Sequence, residues 1–304
     1  MFDIFFLQQV FNGLSLGLVY ALMAIGFTLI FGVLNVVNFA HGEVYMLGAF
    51  AGLIVIQAFA PPLAAVLFIV VAVGLLSGVL LERIAFRPLR RFVDEASLKS
   101  KAIREATLLS SLAVSIVVRE LVSNSFGSNM QLIPQEYLLI DPIEIGGITF
   151  ASGQFVIFGF ALLMLFGLQW FLFRTQAGLS VRAVASNLTG ALHVGINIER
   201  TIITTFALGA MLGAVSGFLV GLYTGNIFPH MGFAPGVKAF VAMVMGGLSS
   251  IPGAIICALL LGLSESIATE YIPQGWAELI TYGLLLATLL FFPQGIFGGQ
   301  RERV

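Results

Sequence analysis

Charge is what this sequence lacks most. Asp, Glu, Lys and Arg together make up 10% of its 304 residues, 14 of them basic and 15 acidic. A soluble domain carries about 25% charged residues, so this supply cannot cover a water-facing surface. The two signs nearly cancel and offer no basic face for nucleic acid. Cys257 is the single cysteine and lies inside an apolar run, which excludes an internal disulfide and leaves the redox compartment unread. His193 and His230 stand alone, without the spacing of metal ligands, so no metal site is expected. Catalytic signatures are missing too. There is no HExxH helix, no GxGxxG after a strand and no P-loop, so the chain has no nucleotide-hydrolysing device of that kind.

Apolar sequence is what it has in excess. The chain is 59% hydrophobic with a mean hydropathy of +1.04. Continuous runs occupy 8–33, 42–59, 63–81, 106–123, 153–173, 201–224, 237–251, 253–269 and 276–292. Most approach the roughly 20 residues needed to cross the hydrocarbon layer. Their continuity, rather than alternation, points to helices and not a barrel. The expected fold is one all-α domain over 1–304, a polytopic membrane helix bundle with about eight or nine spans, some broken. No Lys or Arg precedes the first run, which is longer than a signal-peptide core, so it reads as a retained span.

The few charges fix the topology. Seven of the fourteen Lys and Arg lie in 82–105, three more are Arg174, Arg182 and Arg200, and two close the tail. The positive-inside bias places these three segments in the cytoplasm. The loop 124–150 has acidic but no basic residues and falls outside. This makes the N-terminus external and the C-terminus cytoplasmic. The run 237–251 is thin for a span and either crosses or re-enters. Arg119-Glu120 closes the fourth run near its outer end, by snorkelling or as a local ion pair, and Lys238 opens a helix on the outside and is expected at the interface.

Three further patterns bear on function. Within Arg174–Arg200, Val181, Val184, Leu188 and Leu192 recur at helical spacing with Arg182, Ser186 and Asn187 between them, and Gly178 and Gly195 mark breaks on either side. That predicts a short amphipathic helix over 180–193 on the water side. It is either a handle for a soluble partner or a plain interfacial helix. Gly209, Gly213, Gly217, Gly221 and Gly225 follow at intervals of four and make a smooth stripe on one span, for static packing or for sliding. Between the first two runs stand Asn35, Asn38, His41, Gly42, Glu43 and Tyr45, with no hydrophilic surface loop around them. An ionisable group at that depth costs at least about 2.5 kcal/mol unless it meets water or a partner. Glu43 is therefore expected to face a cavity, the bundle interior or His41. These residues either line a solute path or cap two half-helices. Glu265, inside 253–269, needs a partner for the same reason. A weak internal repeat pairs 26–52, broken at NFAHGE, with 237–262, broken at GGLSSIPG. Such paired breaks mark transport pathways near the bilayer midplane.

These blocks carry a likeness. GLSLGLVYALMAIGFTLIFGVLNVVNFAHGEVYMLGAF (13–50), GLSVRAVASNLTGALHVGIN (178–197) and GFAPGVKAFVAMVMGGLSSIPGAIICALLLGLSE (232–265) resemble the LivH-type permeases of branched-chain amino-acid ABC importers. The resemblance extends over nearly the whole chain. It implies an inner-membrane subunit, not an enzyme, that pairs with a second related permease, two cytoplasmic ATP-binding subunits and an external solute-binding protein. ATP would be used by those partners, with no cofactor on this chain. It also implies that Val181, Arg182, Val184, Ala185, Leu188 and Leu192 belong to a coupling helix that docks on an ATPase. Urea and amide permeases of the same family share the NFAHGE-like block, so the solute is not fixed. A stand-alone channel or secondary carrier, with Glu43 and Glu265 as ion sites, is the alternative from another class.

Overall fold

Eleven helices make up most of the computed structural model, which describes residues 4–90, 101–139, 141–145, 148–292 and 294–298. Of the basic residues that set the predicted topology, Arg91, Lys99, Arg301 and Arg303 lie outside the described residues. The helices are α1 (Ile4–Leu34), α2 (His41–Phe59), α3 (Leu63–Leu81), α4 (Lys101–Phe126), α5 (Ser152–Arg174), α6 (Gln176–Ser186), α7 (Leu188–His193), α8 (Ile198–Thr224), α9 (Phe233–Gly246), α10 (Ile251–Tyr271) and α11 (Gln274–Phe291). A π-helical turn, Glu82–Phe86, and a last turn, Arg87–Arg90, prolong α3. Among the described residues, seven helices are long and apolar enough to cross a membrane, and α9 and α11 contain shorter apolar stretches. The all-helical, polytopic fold expected from the runs is thus found.

The core is built from helix backbones in close approach. A Cβ on Gly13 or Gly17 would stand 2.8 Å from the Cα of Leu263 or Leu259, so α1 and α10 lie backbone to backbone and antiparallel. Gly74 of α3 meets Met211 of α8 in the same way, and Gly78 meets Ala207, also antiparallel. α2 runs parallel to α8, with His41 beside Gly213 and Tyr45 beside Gly217. Without a hydrophobic drive between spans in lipid, close van der Waals contact is what holds such pairs. Around this centre, α4, α5 and α11 turn large apolar side chains outward, among them Leu109, Phe166, Trp170 and Leu290 at 65–71% exposure. Lipid is the solvent that such a surface fits.

The two ends of the bundle are distinct. At one end, Tyr137 donates to the Pro61 carbonyl at 2.7 Å, Gly153 donates to Leu139, and the first turns of α1 reach α5 through Phe11 and Asn12. A two-residue strand, β1 (Gln131–Leu132), pairs there with β4 (Asn226–Ile227), and β2 (Pro142–Ile145) forms a hairpin with β3 (Ile148–Ala151). At the other end lie the extension of α3, α6, α7 and the start of α8, tied by an ion pair between Arg87 and Glu199. The segments 82–90 and 174–200 therefore share one end and 127–151 the other, as the charge pattern required.

The chain is interrupted twice inside the bundle, and the second interruption is not the one expected at GGLSSIPG. α1 and α8 run antiparallel and cross at Gly26 and Gly209, where a Cβ on Gly209 would be 3.1 Å from the Gly26 carbonyl oxygen. After α1 the chain loses helical form over 35–40, and α2 restarts at the level of that crossing, because His41 packs on both Gly26 and Gly213. After α8 the chain runs back over 225–232, with Ile227 against Gly221, and α9 restarts beside Gly42. The counterpart of the first break is therefore 225–232. The turn at 247–250 only joins α9 to α10, with Ser250 capping α10 by accepting from Gly253 N–H at 3.2 Å.

Candidate functional site

Two half-helices begin where the two breaks meet. A Cβ on Gly42 would lie 2.8 Å from the Gly232 carbonyl oxygen, and one on Gly236 would lie 3.3 Å from the Gly42 Cα. Only glycines let the starts of α2 and α9 approach this closely. Asn38 shapes the first break: its side-chain oxygen accepts from Ala40 N–H at 3.1 Å, and Asn35 takes a positive φ of 54° to end α1. Ser111 of α4 accepts from Phe39 N–H at 3.2 Å and holds the break against that helix. Each helix start carries about half a positive charge, so both dipoles direct positive ends into one region inside the bundle.

Glu43 stands in the first turn of α2, buried, and its carboxylate accepts from the Ser115 hydroxyl of α4 at 2.9 Å. Arg119 stands one turn beyond Ser115 on the same helix. His41 does not pair with Glu43. Its ring is fully buried against Gly26, Gly213 and the Phe27 ring, whose centroid is 4.6 Å away, and neither ring nitrogen has a hydrogen-bond partner of good geometry. Tyr45 is 1% exposed and packs against Gly217. Of the six residues singled out at the break, Gly42 and Glu43 reach the junction, Asn38 and Asn35 shape its approach, and His41 and Tyr45 serve helix packing.

Glu265 belongs to a second polar group. It forms an ion pair with Lys238 of α9 and accepts from the Tyr20 hydroxyl of α1 at 3.0 Å. Lys238 is 7% exposed, so the expectation that it reaches the external interface is corrected: the descent of 225–232 brings it into the bundle. Outward from it, Ser266 donates to the Gln9 carbonyl at 2.8 Å and Gln9 donates to Glu270 at 2.7 Å. Sequence spacing missed this pairing, since Lys238 and Glu265 lie on different helices. The one available signal was that each is an ionisable group in an apolar run.

The segment 174–200 is two helices, not one. Asn187 ends α6 in extended backbone and caps α7, its side chain accepting from Gly190 N–H at 3.0 Å. Gly178 is no break; it sits in the first turn of α6, where any Cβ would collide with the Phe171 carbonyl, and Thr175 caps the helix. Val181 and Val184 point inward at 3% and 2% exposure, Ala185 lies over Gly32, and Leu188 and Leu192 are half-buried. The predicted apolar stripe is therefore the segment's anchor on the bundle. Arg182 is exposed, with its Nε donating to the Leu172 carbonyl at 3.0 Å and its guanidinium 4.5 Å from the Phe173 centroid. The surface left open includes Leu179, Arg182, Ser186, Thr189, His193 and Val194. Beside it a cleft of about 300 Å³ is lined by Gln176, Ser180, Asn197, Arg200 and Thr204.

The glycine stripe has identified neighbours. Gly209 meets Gly26, Gly213 meets His41, Gly217 meets the Tyr45 backbone, and Gly221 meets Ile227. Gly225 lies beyond the stripe and closes α8 with a positive φ of 73°. Among the described residues no group of three or more His, Cys, Asp and Glu is placed to hold a metal.

Comparison with known proteins places this arrangement. The family model described as "branched-chain amino acid transport system / permease component" matches residues 9–289. The high-affinity branched-chain amino acid transport system permease protein LivH of Salmonella typhimurium is 36% identical over 97% of this chain and 96% of its own. BraD of Pseudomonas aeruginosa, described in the same words, is 36% identical over 96% of each chain. A probable LivH of Methanocaldococcus jannaschii is 30% identical, covering 91% of this chain and 88% of its own. The solved PsaBC from Streptococcus pneumoniae in complex with Fab aligns with a TM-score of 0.47 and 13% identity over 95% of this chain and 92% of that one, and adds nothing to the assignment. The chain belongs to the branched-chain amino acid transport permease family.

Proposed function

We propose that this chain is the membrane-spanning subunit of an ABC importer for branched-chain or other mostly neutral amino acids. The observation that carries the reading is the likeness to LivH and BraD over almost the full length of each chain. The internal breaks support it, because paired half-helices at one depth are how carriers build a path through lipid. Glu43, with Ser115, lies at the junction of those half-helices. In this reading the junction at Gly42 and Gly232 lines or gates the path. Nine crossings result if 225–232 and α9 together count as one, with the N-terminus outside and the segments 82–105 and 174–200 in the cytoplasm.

The exposed face of α6 and α7 is the docking surface for an ATP-binding subunit. Val181 and Val184 fix that face to the bundle, so a push on it is carried into α5 and α8. The full assembly contains a second related permease, two such ATP-binding subunits in the cytoplasm and a solute-binding protein outside. Isolation from native membranes in mild detergent tests the composition. Two ATP-binding chains and a second permease should co-purify. Recovery of this chain alone, active as a carrier under a proton gradient, would overturn the reading.

A further inference from the structure

The half-helix α9 poses a physical problem. It has 14 residues, follows the non-helical stretch 225–232, and begins inside the bundle beside Gly42. Its glycine contacts, Gly236 on Gly42 and Gly246 on Gly253, give it a close seat but no directional bond that selects one rotation. Its only basic residue is Lys238, in the second turn, and that side chain is paired with Glu265 of α10, which also accepts from Tyr20 of α1. The three groups lie on three helices and close on one another, with the Lys238 ammonium 5.7 Å from the Tyr20 ring centroid. Charge on Glu278 of α11 also acts on Tyr20.

A buried ion pair adds little to stability over an apolar pair of equal volume, and its best-attested use is to fix register. Ionisable groups inside spans are also costly and mark function by default. Resting on the transport reading above, we propose that Lys238 and Glu265 are positioning residues. Their ion pair sets the depth and rotation of α9 so that Gly232 seats on Gly42 and the path at Glu43 keeps its shape. Neither residue touches the solute in this account. Tyr20 orients the Glu265 carboxylate by occupying its second oxygen.

The test compares Lys238→Met/Glu265→Met with the exchange Lys238→Glu/Glu265→Lys in the complete importer. The double Met variant should assemble with normal yield and keep ATP hydrolysis stimulated by the binding protein within about twofold. Solute delivered per ATP hydrolysed should fall tenfold or more, and the exchange should restore it to within about threefold of the original. A second readout is independent of transport. Spin labels at Phe39→Cys and Phe233→Cys, with Cys257 replaced by Ala, report the distance across the junction; both positions are exposed. The distribution should be narrow in the parent and the exchange, and broad in the double Met variant. An unchanged narrow distribution, normal delivery per ATP in the double Met variant, failure of that variant to assemble, or failure of the exchange to rescue would each overturn the proposal. Absence of ATP-driven delivery by the parent itself would instead sink the transport reading and leave the distance measurement standing.

Discussion

Gly42 and Gly232 touch through their backbones inside the bundle: a Cβ on the first would lie 2.8 Å from the carbonyl oxygen of the second. One residue precedes α9, the other lies in the first turn of α2, and 190 positions of sequence separate them. The contact brings the two breaks in the chain to one place. Glu43, the next residue along α2, inherits its position from it.

Replacing Gly217 by Leu is expected to damage assembly. A side chain there meets the Tyr45 backbone, which cannot move without shifting α2. Overpacking typically costs about 1–3 kcal/mol, and more when backbone is the obstacle. Size-exclusion profiles of the complex should show loss of the monodisperse species, whereas Gly159→Leu, with open space around it, should leave the profile unchanged.

Glu43→Gln should leave the bundle folded and lower transport. The amide can still accept from Ser115, so the contact with α4 survives, but the charge at the two helix starts is gone. The expected result is a fall of tenfold or more in ATP-driven uptake with unchanged complex yield. Ser115→Ala should reduce uptake less, since it removes one hydrogen bond and leaves the carboxylate itself at the two helix starts. Uptake that is indifferent to both variants would remove Glu43 from the path.

The two faces of α6 should respond oppositely to a new carboxylate. Val181→Asp places an unpaired charge at a site that is 3% exposed, and the bundle itself should lose stability by several kcal/mol. Leu179→Asp and Val194→Asp, at 58% and 75% exposure, should fold normally and release the ATP-binding subunit. Retention of that subunit by both exposed-face variants, in a pull-down on this chain, would show that α6 and α7 are not the handle.

His41 is predicted to be a packing residue. Its imidazole is fully buried with no well-formed hydrogen bond and fills the space left by Gly26 and Gly213. His41→Leu should come close to keeping the volume and leave thermal stability within about 1.5 kcal/mol, the range for volume-conserving changes. His41→Ala should lower it by about 3 kcal/mol or more through the cavity left behind. Thermal melts of the purified complex separate these outcomes.

Much of this architecture was legible from the residues. Apolar runs gave the helices because each run had to satisfy its own backbone within lipid. Thinly spread charges gave the common end of 82–90 and 174–200, later seen in the Arg87–Glu199 pair. What stayed hidden were relations across the fold. Val181 and Val184 recur at helical spacing whether the apolar stripe faces a partner or the helix's own bundle, and only burial distinguishes the two. Lys238 looked interfacial because the retreat of 225–232 into the bundle leaves no mark on hydropathy. Asn187 reads as one polar residue of an amphipathic helix, yet its extended backbone divides that helix in two.

The central claim is that this molecule is a gate driven from the cytoplasmic side by separate ATP-binding subunits. The most direct test is uptake of labelled leucine into vesicles holding the complete complex, with the solute-binding protein added at the external face, compared with and without ATP hydrolysis inside. The account predicts uptake that requires hydrolysis and that disappears in the Leu179→Asp and Val194→Asp variants. Equal uptake in the absence of hydrolysis would contradict it.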